Sequence, residues 1–471
     1  MKEEKTVLKK HKVTTLTVFF MIFCMVCAGS YGIEDMIPSA GPGLTVVLLI
    51  FLPFFWSIPQ GLVAAELGSA IPTEGGYYKW IQRALGEFWG FQACWWRTIS
   101  IYVDSTLYVI LAVGYVNSVF PLTGWQSFAL KAFFIIAFSV INVRGLRDVG
   151  RIASYFSVIV IGSFIALIFV GFSHAQFNPL LPFVPEGQTV AESVGLGIAI
   201  CMWMYAGYES MSTMAGELEN PMVIPKATIL SVPAIMLLYI LSTIACLAAV
   251  GQWQNWGVED GISFGSIGDM LGFHWLSLVF VVTAVIANLS MYNTYLASGS
   301  RGFFSLADDH LAPDFLQKLH GKYGTPHTAI IAMAVINLLL CQIGFDTLVV
   351  IDVFLLMFAY ILIYVAAIVL RVKEPELERP FKIPLGTKGV ALLCTCPIIL
   401  CVVALFTNGL SYFIGGCIGI ISGPAVYVIC KKKYGGVDGK KQLTARDKKL
   451  TIAIISVMLI AVASALLIFF K

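Results

Sequence analysis

Two adjacent carboxylates, Glu34 and Asp35, lie inside the first long apolar stretch of this chain. An acid near the middle of a membrane span costs about 2.5–3.5 kcal/mol on insertion scales. The residues just before the pair weaken a helix at the same place, because two of them are glycines: Gly29, Ser30, Tyr31 and Gly32. Non-helical backbone is tolerated at membrane depth only where it is buried in protein or lines a water-filled cavity. A costly charge beside a helix break therefore predicts a substrate or ion site.

A second break of the same kind is predicted in the sixth apolar stretch. Gly207 precedes Glu209 by two residues, just as Gly32 precedes Glu34, and the two glycines are 207 − 32 = 175 residues apart. This separation corresponds to five spans, so the second copy of the pattern enters the membrane from the opposite side. Interrupted helices at matching positions of two halves indicate a transporter built from inverted repeats, with its substrate site between them.

A third membrane acid, Asp104, lies in the middle of the third apolar stretch. Arg97 comes seven residues earlier, which is about 10 Å along a helix and too far for a direct ion pair. We expect Arg97 to anchor its helix near the cytoplasmic surface of the membrane, where a long basic side chain can reach water or bond to backbone carbonyls. Asp104 has no such route to the surface, and this favours a functional role. For Asp35, capping of the outer half-helix remains an alternative.

Four membrane acids without a lysine among them predict a positively charged partner. A ligand with two or more ammonium groups would relieve the repulsion between the carboxylates, and so would protons that couple to transport. Aromatic faces would add roughly 0.5–2 kcal/mol per contact with a cation. The candidates for such faces are Tyr31, Trp96, Tyr102, Trp203, Tyr205 and Tyr208.

The composition predicts a lipid bilayer as the solvent, because 58% of the 471 residues are hydrophobic and only 12% are charged. Soluble proteins carry about 25% charged residues. Apolar runs long enough to cross the hydrocarbon as helices recur along the whole chain. They lie at 14–38, 44–65, 88–118, 127–143, 153–173, 192–216, 228–250, 273–301, 326–343, 347–371, 389–407, 409–430 and 450–470.

Lysine and arginine are concentrated in the N-terminal segment and in every second connection between these runs. This pattern predicts a multi-pass protein with a cytoplasmic N-terminus. Its expected location is the plasma membrane. The net charge of +3 is thus a signal of topology, and no nucleic-acid partner is expected. The 11 cysteines and 6 histidines show no metal-ligand spacing, so no metal and no cofactor are expected. An enzyme is disfavoured, since no HExxH motif and no Ser/His pair occurs at membrane depth.

Several stretches of the chain resemble the amino acid–polyamine–organocation (APC) transporters, and in particular their polyamine:proton symporter branch. The resemblance covers roughly the first 430 residues. It rests on the following segments: Gly32–Asp35 through Pro42, Phe55–Pro59, Ala65–Gly68, Gly75–Tyr77, Phe88–Gln92, the Asp104 span, Ser212–Pro221, Pro225–Ala227 and Arg379–Pro384. One departure concerns the sixth span, where the branch has Trp-Asp-Ser and this chain reads Tyr208-Glu209-Ser210.

The resemblance implies an all-helical LeuT-like fold with a 5+5 inverted repeat, broken first and sixth helices, and 12 core transmembrane helices plus one extra C-terminal helix. The implied organisation is a tail at 1–13, a first repeat at 14–173, a second repeat at 192–371, two helices at 389–430 and the extra helix at 450–471. Substrate would bind between the broken helices. The implied binding residues are Gly29, Ser30, Tyr31, Gly32, Glu34, Asp35, Asp104, Trp203, Tyr205, Tyr208, Glu209 and Ser210.

The sequence therefore predicts a secondary transporter for a small organic cation such as putrescine, coupled to protons through Glu34, Asp35, Asp104 and Glu209. Two alternatives remain open at this point. One is an amino-acid permease or exchanger of the same superfamily, whose acids are protonated or bonded to helix ends. The other is a membrane sensor that binds a substrate without moving it.

Overall fold

A computed structural model describes residues 8–257, 262–343, 345–407 and 410–469. These residues form seventeen α-helices, numbered α1 to α17, and three short 3-10 helices. The α-helices are Thr15–Val26, Met36–Ala40, Pro42–Phe55, Ser57–Ala70, Tyr77–Leu85, Glu87–Val119, Gly124–Arg144, Leu146–Ser173, Val190–Met204, Val223–Val250, Phe264–Met270, His274–Asp308, His327–Leu340, Phe345–Lys373, Thr387–Thr407, Leu410–Tyr434 and Ala445–Phe469. The 3-10 helices are Ser210–Glu217, Trp253–Asn255 and Asp314–Gln317.

Ten helical segments of the described residues are long and apolar enough to cross a membrane. Three shorter apolar helices accompany them, namely α1, α9 and α13. The expected all-helical class is therefore confirmed for the described residues, and helices occupy every predicted apolar run, with interruptions in the runs 14–38 and 192–216. The last helix, α17, packs beside α16 and leaves most of its side chains exposed.

Two helices are interrupted where glycine and acidic residues coincide. Helix α1 ends at Val26, and the chain then turns through Gly29 (φ +117°) and Gly32 (φ +101°) before α2 begins at Met36. Helix α9 ends at Met204, and after Gly207 (φ +116°) the chain continues as the 3-10 helix Ser210–Glu217. Positive φ values strain a residue with a Cβ atom, and this explains why glycine is used at these turns.

The N-terminal tail packs against one face of the helix bundle. The backbone N–H of His11 donates to Glu217 O at 2.7 Å, and Glu219 N donates to His11 O at 3.1 Å. We call the face that carries these contacts the tail side. The first half-helix, α1, and the 3-10 helix after the second break both lead toward it, while α2 and α9 lie on the opposite side.

The cysteines contribute to the apolar interior. All 11 carry free thiols, and ten of them are buried, with Cys396 half-buried. Small apolar side chains of this kind fit the close helix contacts of a membrane bundle.

Candidate functional site

The two breaks lie against each other in the interior of the bundle. The Tyr239 hydroxyl on α10 lies 3.3 Å from Val26 O and 3.0 Å from Met204 O, the carbonyl ends of both interrupted helices. The Tyr295 hydroxyl on α12 donates to Met25 O at 2.7 Å. A Cβ atom at Gly207 would come within 2.7 Å of Met25 O, so only glycine allows this approach. Tyrosine hydroxyls thus satisfy carbonyls that the broken helices leave unpaired.

An ion pair lies beside the second break. Arg97 Nε donates to Glu209 Oε1 at 2.8 Å, and both side chains are 1% exposed. The same guanidinium donates to Ser210 Oγ at 3.0 Å, and the Tyr360 hydroxyl donates to Glu209 Oε2 at 3.0 Å. The expectation that Arg97 anchors its helix by reaching the membrane surface is wrong. The side chain extends instead to the second break, because burying an unpaired charge costs far more free energy than burying a paired one.

Two more acids lie beside this pair. Arg97 Nη1 donates to Ser100 Oγ at 3.1 Å, and Ser100 Oγ donates to Asp352 Oδ1 at 2.5 Å. Asp104 is 5% exposed, and the charges that act on it most strongly are Asp352 and Arg97. Among the described residues its Oδ1 has no hydrogen-bond partner. The cluster therefore contains three carboxylates and one guanidinium, so its acidic groups outnumber its basic groups by two.

The aromatic faces nearest to the buried cation differ from those expected. Arg97 Cζ lies 5.9 Å from the ring centroid of Tyr295 and 6.0 Å from that of Tyr360. The Tyr295 ring also stacks on Tyr108, with centroids 5.7 Å apart, beside Asp104. Cation–π attraction of this kind operates within about 6 Å of a ring centroid. Tyr295 and Tyr360 are therefore positioned to bind a cation at the cluster.

The aromatic residues singled out in the sequence pack around the same interior. Tyr102 packs edge-on against Phe303, and the Tyr205 hydroxyl donates to Leu49 O at 3.0 Å. Tyr208 is buried directly before Glu209, and Trp203 lies near Gly32 of the first break. Two others bond to backbone carbonyls farther away: Tyr31 to Phe280 O at 3.4 Å, and Trp96 to Ile420 O at 3.2 Å.

The first break holds its acids in a different way. Glu34 is fully buried, and its carboxylate accepts hydrogen bonds from Gly32 N at 2.7 Å and from Phe264 N at 3.3 Å. Phe264 begins α11, so Glu34 joins the first break to a helix on the opposite side of the bundle from the tail. Ser30 Oγ lies 2.7 Å from Ser242 Oγ. Asp35 is exposed at the N-cap position of α2.

The contacts therefore divide the predicted acids into two groups. Asp104 and Glu209 belong to the cluster around Arg97, whereas Glu34 is bonded to backbone N–H groups of its own break and of α11. Sequence reasoning missed Asp352, Tyr295 and Tyr360. For Asp352 a signal was available, since an acid inside the apolar run 347–371 carries the same insertion cost as the others.

Several segments that carry the resemblance contact one another. Glu66 forms a buried pair with Arg371, accepts from Ile383 N at 2.8 Å and lies 3.2 Å from Arg379. Gly76 fits against Ser212, where a Cβ atom would come within 2.1 Å of the serine Oγ. Glu66 thus joins α4 to the end of α14 and the segment after it, while Gly76 joins the start of α5 to the 3-10 helix after the second break.

Comparisons with known proteins agree with this architecture. The family model described as "Amino acid permease" matches residues 13–422. The polyamine transporter RMV1 of Arabidopsis thaliana is 32% identical over 438 residues, covering 91% of this chain and 88% of that protein. The polyamine transporter PUT1 of Oryza sativa subsp. japonica is 32% identical over 435 residues, covering 90% and 80%. The branched-chain amino acid permease BcaP of Bacillus subtilis (strain 168) is 24% identical over 418 residues, covering 84% and 87%.

The chain belongs to the amino acid permease family of the APC superfamily, and the resemblance noted in the sequence is confirmed. It is a multi-pass membrane transporter of this family. The named relatives are transporters and not enzymes.

Proposed function

We propose that this transporter moves a small organic cation across the plasma membrane by alternating access, with a polyamine such as putrescine as the first candidate. The proposed framework is a LeuT-like 5+5 repeat, with residues 14–173 and 192–371 as the two halves and the N-terminus in the cytoplasm. Protons are the proposed coupling ion. The names of RMV1 and PUT1 support a polyamine as the substrate.

The observation that carries the proposal is the buried Asp104 oxygen. The Tyr108 and Tyr295 hydroxyls bond to this carboxyl, but its Oδ1 has no hydrogen-bond partner of its own among the described residues, and leaving such a buried acceptor unsatisfied costs about 1–3 kcal/mol. An ammonium group has three donors and one positive charge. It would satisfy Asp104 and bring the charge of the cluster closer to zero, since Glu209 and Asp352 already share Arg97.

Each predicted site residue receives a role on this basis. Asp104 holds the first ammonium group, with Tyr108 and Tyr295 beside it. Glu209 and Ser210 hold Arg97, and release of Glu209 from Arg97 would allow it to bind a second ammonium group. Trp203, Tyr205 and Tyr208 would enclose the carbon chain of the substrate.

The first break is proposed to act at the opposite side from the tail. Glu34 bonds to Gly32 and Phe264, so it keeps the break closed while it is ionised, and protonation would weaken both bonds. Gly29, Ser30 and Tyr31 supply the flexible backbone of this opening. Asp35 is exposed and is proposed to attract cations or protons before they enter.

An amino-acid permease is the second candidate, and the similarity to BcaP favours it. In that case the free N–H groups of the first break would bind the substrate carboxylate. Glu34 already accepts from Gly32 N at 2.7 Å, so an amino acid would have to displace a buried carboxylate. This competition favours the cation over the amino acid.

Uptake of labelled putrescine and leucine into proteoliposomes tests the proposal. We expect putrescine uptake and putrescine-induced thermal stabilisation in the parent, and a putrescine affinity weakened at least about tenfold in Asp104→Asn, because a buried charge-assisted bond contributes about 1.5–3 kcal/mol. Glu186→Gln, at an exposed acid in a connection, is the matched control and should behave as the parent. The proposal is wrong if leucine is taken up while putrescine neither moves nor competes.

A further inference from the structure

A second group of buried charges lies at the tail side. It begins at Glu217, eight residues after Glu209 along the 3-10 helix Ser210–Glu217. With the usual rise of about 2 Å per residue, this is about 16 Å from Glu209. Glu217 ends this helix, and its Oε1 lies 2.6 Å from Arg301 Nε on α12. Both side chains are fully buried. Among the described residues, Glu217 Oε2 and Arg301 Nη2 have no hydrogen-bond partner.

Glu74 completes this group from the turn between α4 and α5. Neither of its carboxylate oxygens is accessible to solvent; the backbone N–H of Gly216 faces the carboxylate, and no side chain of the described residues bonds to it. A Cβ atom at Gly216 would come within 2.6 Å of Glu74 Oε2, so the glycine allows the carboxylate to approach the 3-10 helix. The turn is fixed there, because Gly75 N donates to Thr213 O at 3.3 Å.

The charges do not balance within the group. Glu217 and Arg301 neutralise each other, Asp308 on the same helix adds a further acid near Glu74, and His11 of the tail faces Glu217 and Arg301. Burial raises the pKa of the Glu74 carboxyl well above its usual range, the neighbouring Glu217 raises it further, and Arg301 opposes both effects. A carboxyl in this position binds a proton unless another cation is present.

Polar side chains connect this group with the Arg97 cluster. Ser298 Oγ on α12 donates to Ser210 O at 3.1 Å, and Thr213 Oγ1 donates to Ser298 Oγ at 3.0 Å. Arg301 follows on the same helix, one turn closer to the tail side. The 3-10 helix therefore makes polar contacts with α12 at Ser210, Thr213 and Glu217.

On the basis of the proposed transport of organic cations, we propose that Glu74 and Glu217 form a second cation site, which an ammonium group of the substrate occupies between the Arg97 cluster and the tail side. In the absence of substrate, Glu74 carries a proton. When the ammonium group arrives, this proton leaves toward the tail side, so the net charge of the group is unchanged. Substrate and proton thus compete for the same carboxylate.

The test uses the full chain in proteoliposomes, with labelled putrescine and a controlled pH on the tail side. The parent should release putrescine more slowly as the tail-side pH falls from about 8 to about 6, because protonated Glu74 cannot accept an ammonium group. Glu74→Gln should slow net transport about fivefold or more and remove this pH dependence, while the Kd of putrescine stays within about twofold. Glu74→Asp should retain the pH dependence, and so should His11→Asn, which removes the tail imidazole beside Glu217.

Asp314→Asn, at an exposed acid on the tail side, is the matched control and should leave rate and pH dependence unchanged. The second cation site is ruled out if Glu74→Gln transports as the parent does, or if it is slower but keeps the parental pH profile, which would indicate a structural role alone. If the parent itself moves no putrescine, the proposed function fails and the second site fails with it.

Discussion

The pair Arg97–Glu209 provides the most direct test of the site geometry. Both side chains are 1% exposed, so replacing one leaves a buried charge without its partner, which costs about 3–5 kcal/mol. Arg97→Met should reach the upper end of this range, because the guanidinium also bonds to Ser100 and Ser210. Glu209→Gln should cost less, since Arg97 remains near Asp352 and Asp104 and Tyr360 can still donate to the amide oxygen.

The double variant should recover part of this loss. When both charges are removed, neither is left unpaired, so we expect a coupling energy of about 2–3 kcal/mol between the two sites. Unfolding free energies of the parent, both single variants and the double variant, measured by denaturant titration in detergent micelles, give this value. The partly exposed pair Arg83–Glu374, with an N–O distance of 2.6 Å, is the control and should give about 0.2–1 kcal/mol. Additive effects at Arg97 and Glu209, within about 0.5 kcal/mol, would refute the buried pair.

Three further predictions concern the contacts around the site. Glu34→Gln replaces a carboxylate that accepts two backbone hydrogen bonds with a neutral amide. The unfolding free energy should fall by about 1.5–3 kcal/mol, and amide exchange at Phe264 should become faster. An unchanged exchange rate at Phe264 would contradict this. Arg371→Lys should lower the unfolding free energy by about 2 kcal/mol and increase proteolysis within 374–386, since lysine cannot bond to both oxygens of Glu66. The control Lys388→Arg should leave cleavage unchanged. Burial lowers the pKa of His11 in the docked tail. Docking is therefore strongest above the ordinary histidine pKa of about 6.5. It weakens as the pH falls below that value, down to the pH at which the docked imidazole also binds a proton. Amide exchange at Glu219, corrected for intrinsic rates, should therefore accelerate at acid pH in the parent and lose this dependence in His11→Asn.

The helices and the two breaks could be predicted from the sequence, because apolar runs and glycine–acid patterns are local properties of the chain. The expectation for Arg97 was wrong because it considered only neighbours on the same helix. Its partner, Glu209, is 112 residues away in sequence. Spacing along one helix cannot reveal a contact between two helices, and such contacts determine which buried charges are paired.

The grouping of the acids shows the same limit. Glu34 and Glu209 follow the same Gly-x-Glu pattern, yet one bonds to backbone N–H groups and the other to a guanidinium. The pattern identifies where a helix is interrupted, whereas the role of the acid depends on what the facing helices present. Asp352 was within reach of sequence reasoning, and its link to Arg97 through Ser100 was not.

The burial of the thiols gives the molecule an internal reporter. Cys27 lies at the end of α1, where its Sγ accepts from Gly29 N at 3.3 Å, and it is buried like most of the other cysteines. Any motion that separates the interrupted segments would let a maleimide reach this atom, so the rate of alkylation at Cys27 follows the frequency of opening. Alkylation of Cys27, resolved from that of the other ten thiols by peptide mapping, therefore reports opening on the native sequence.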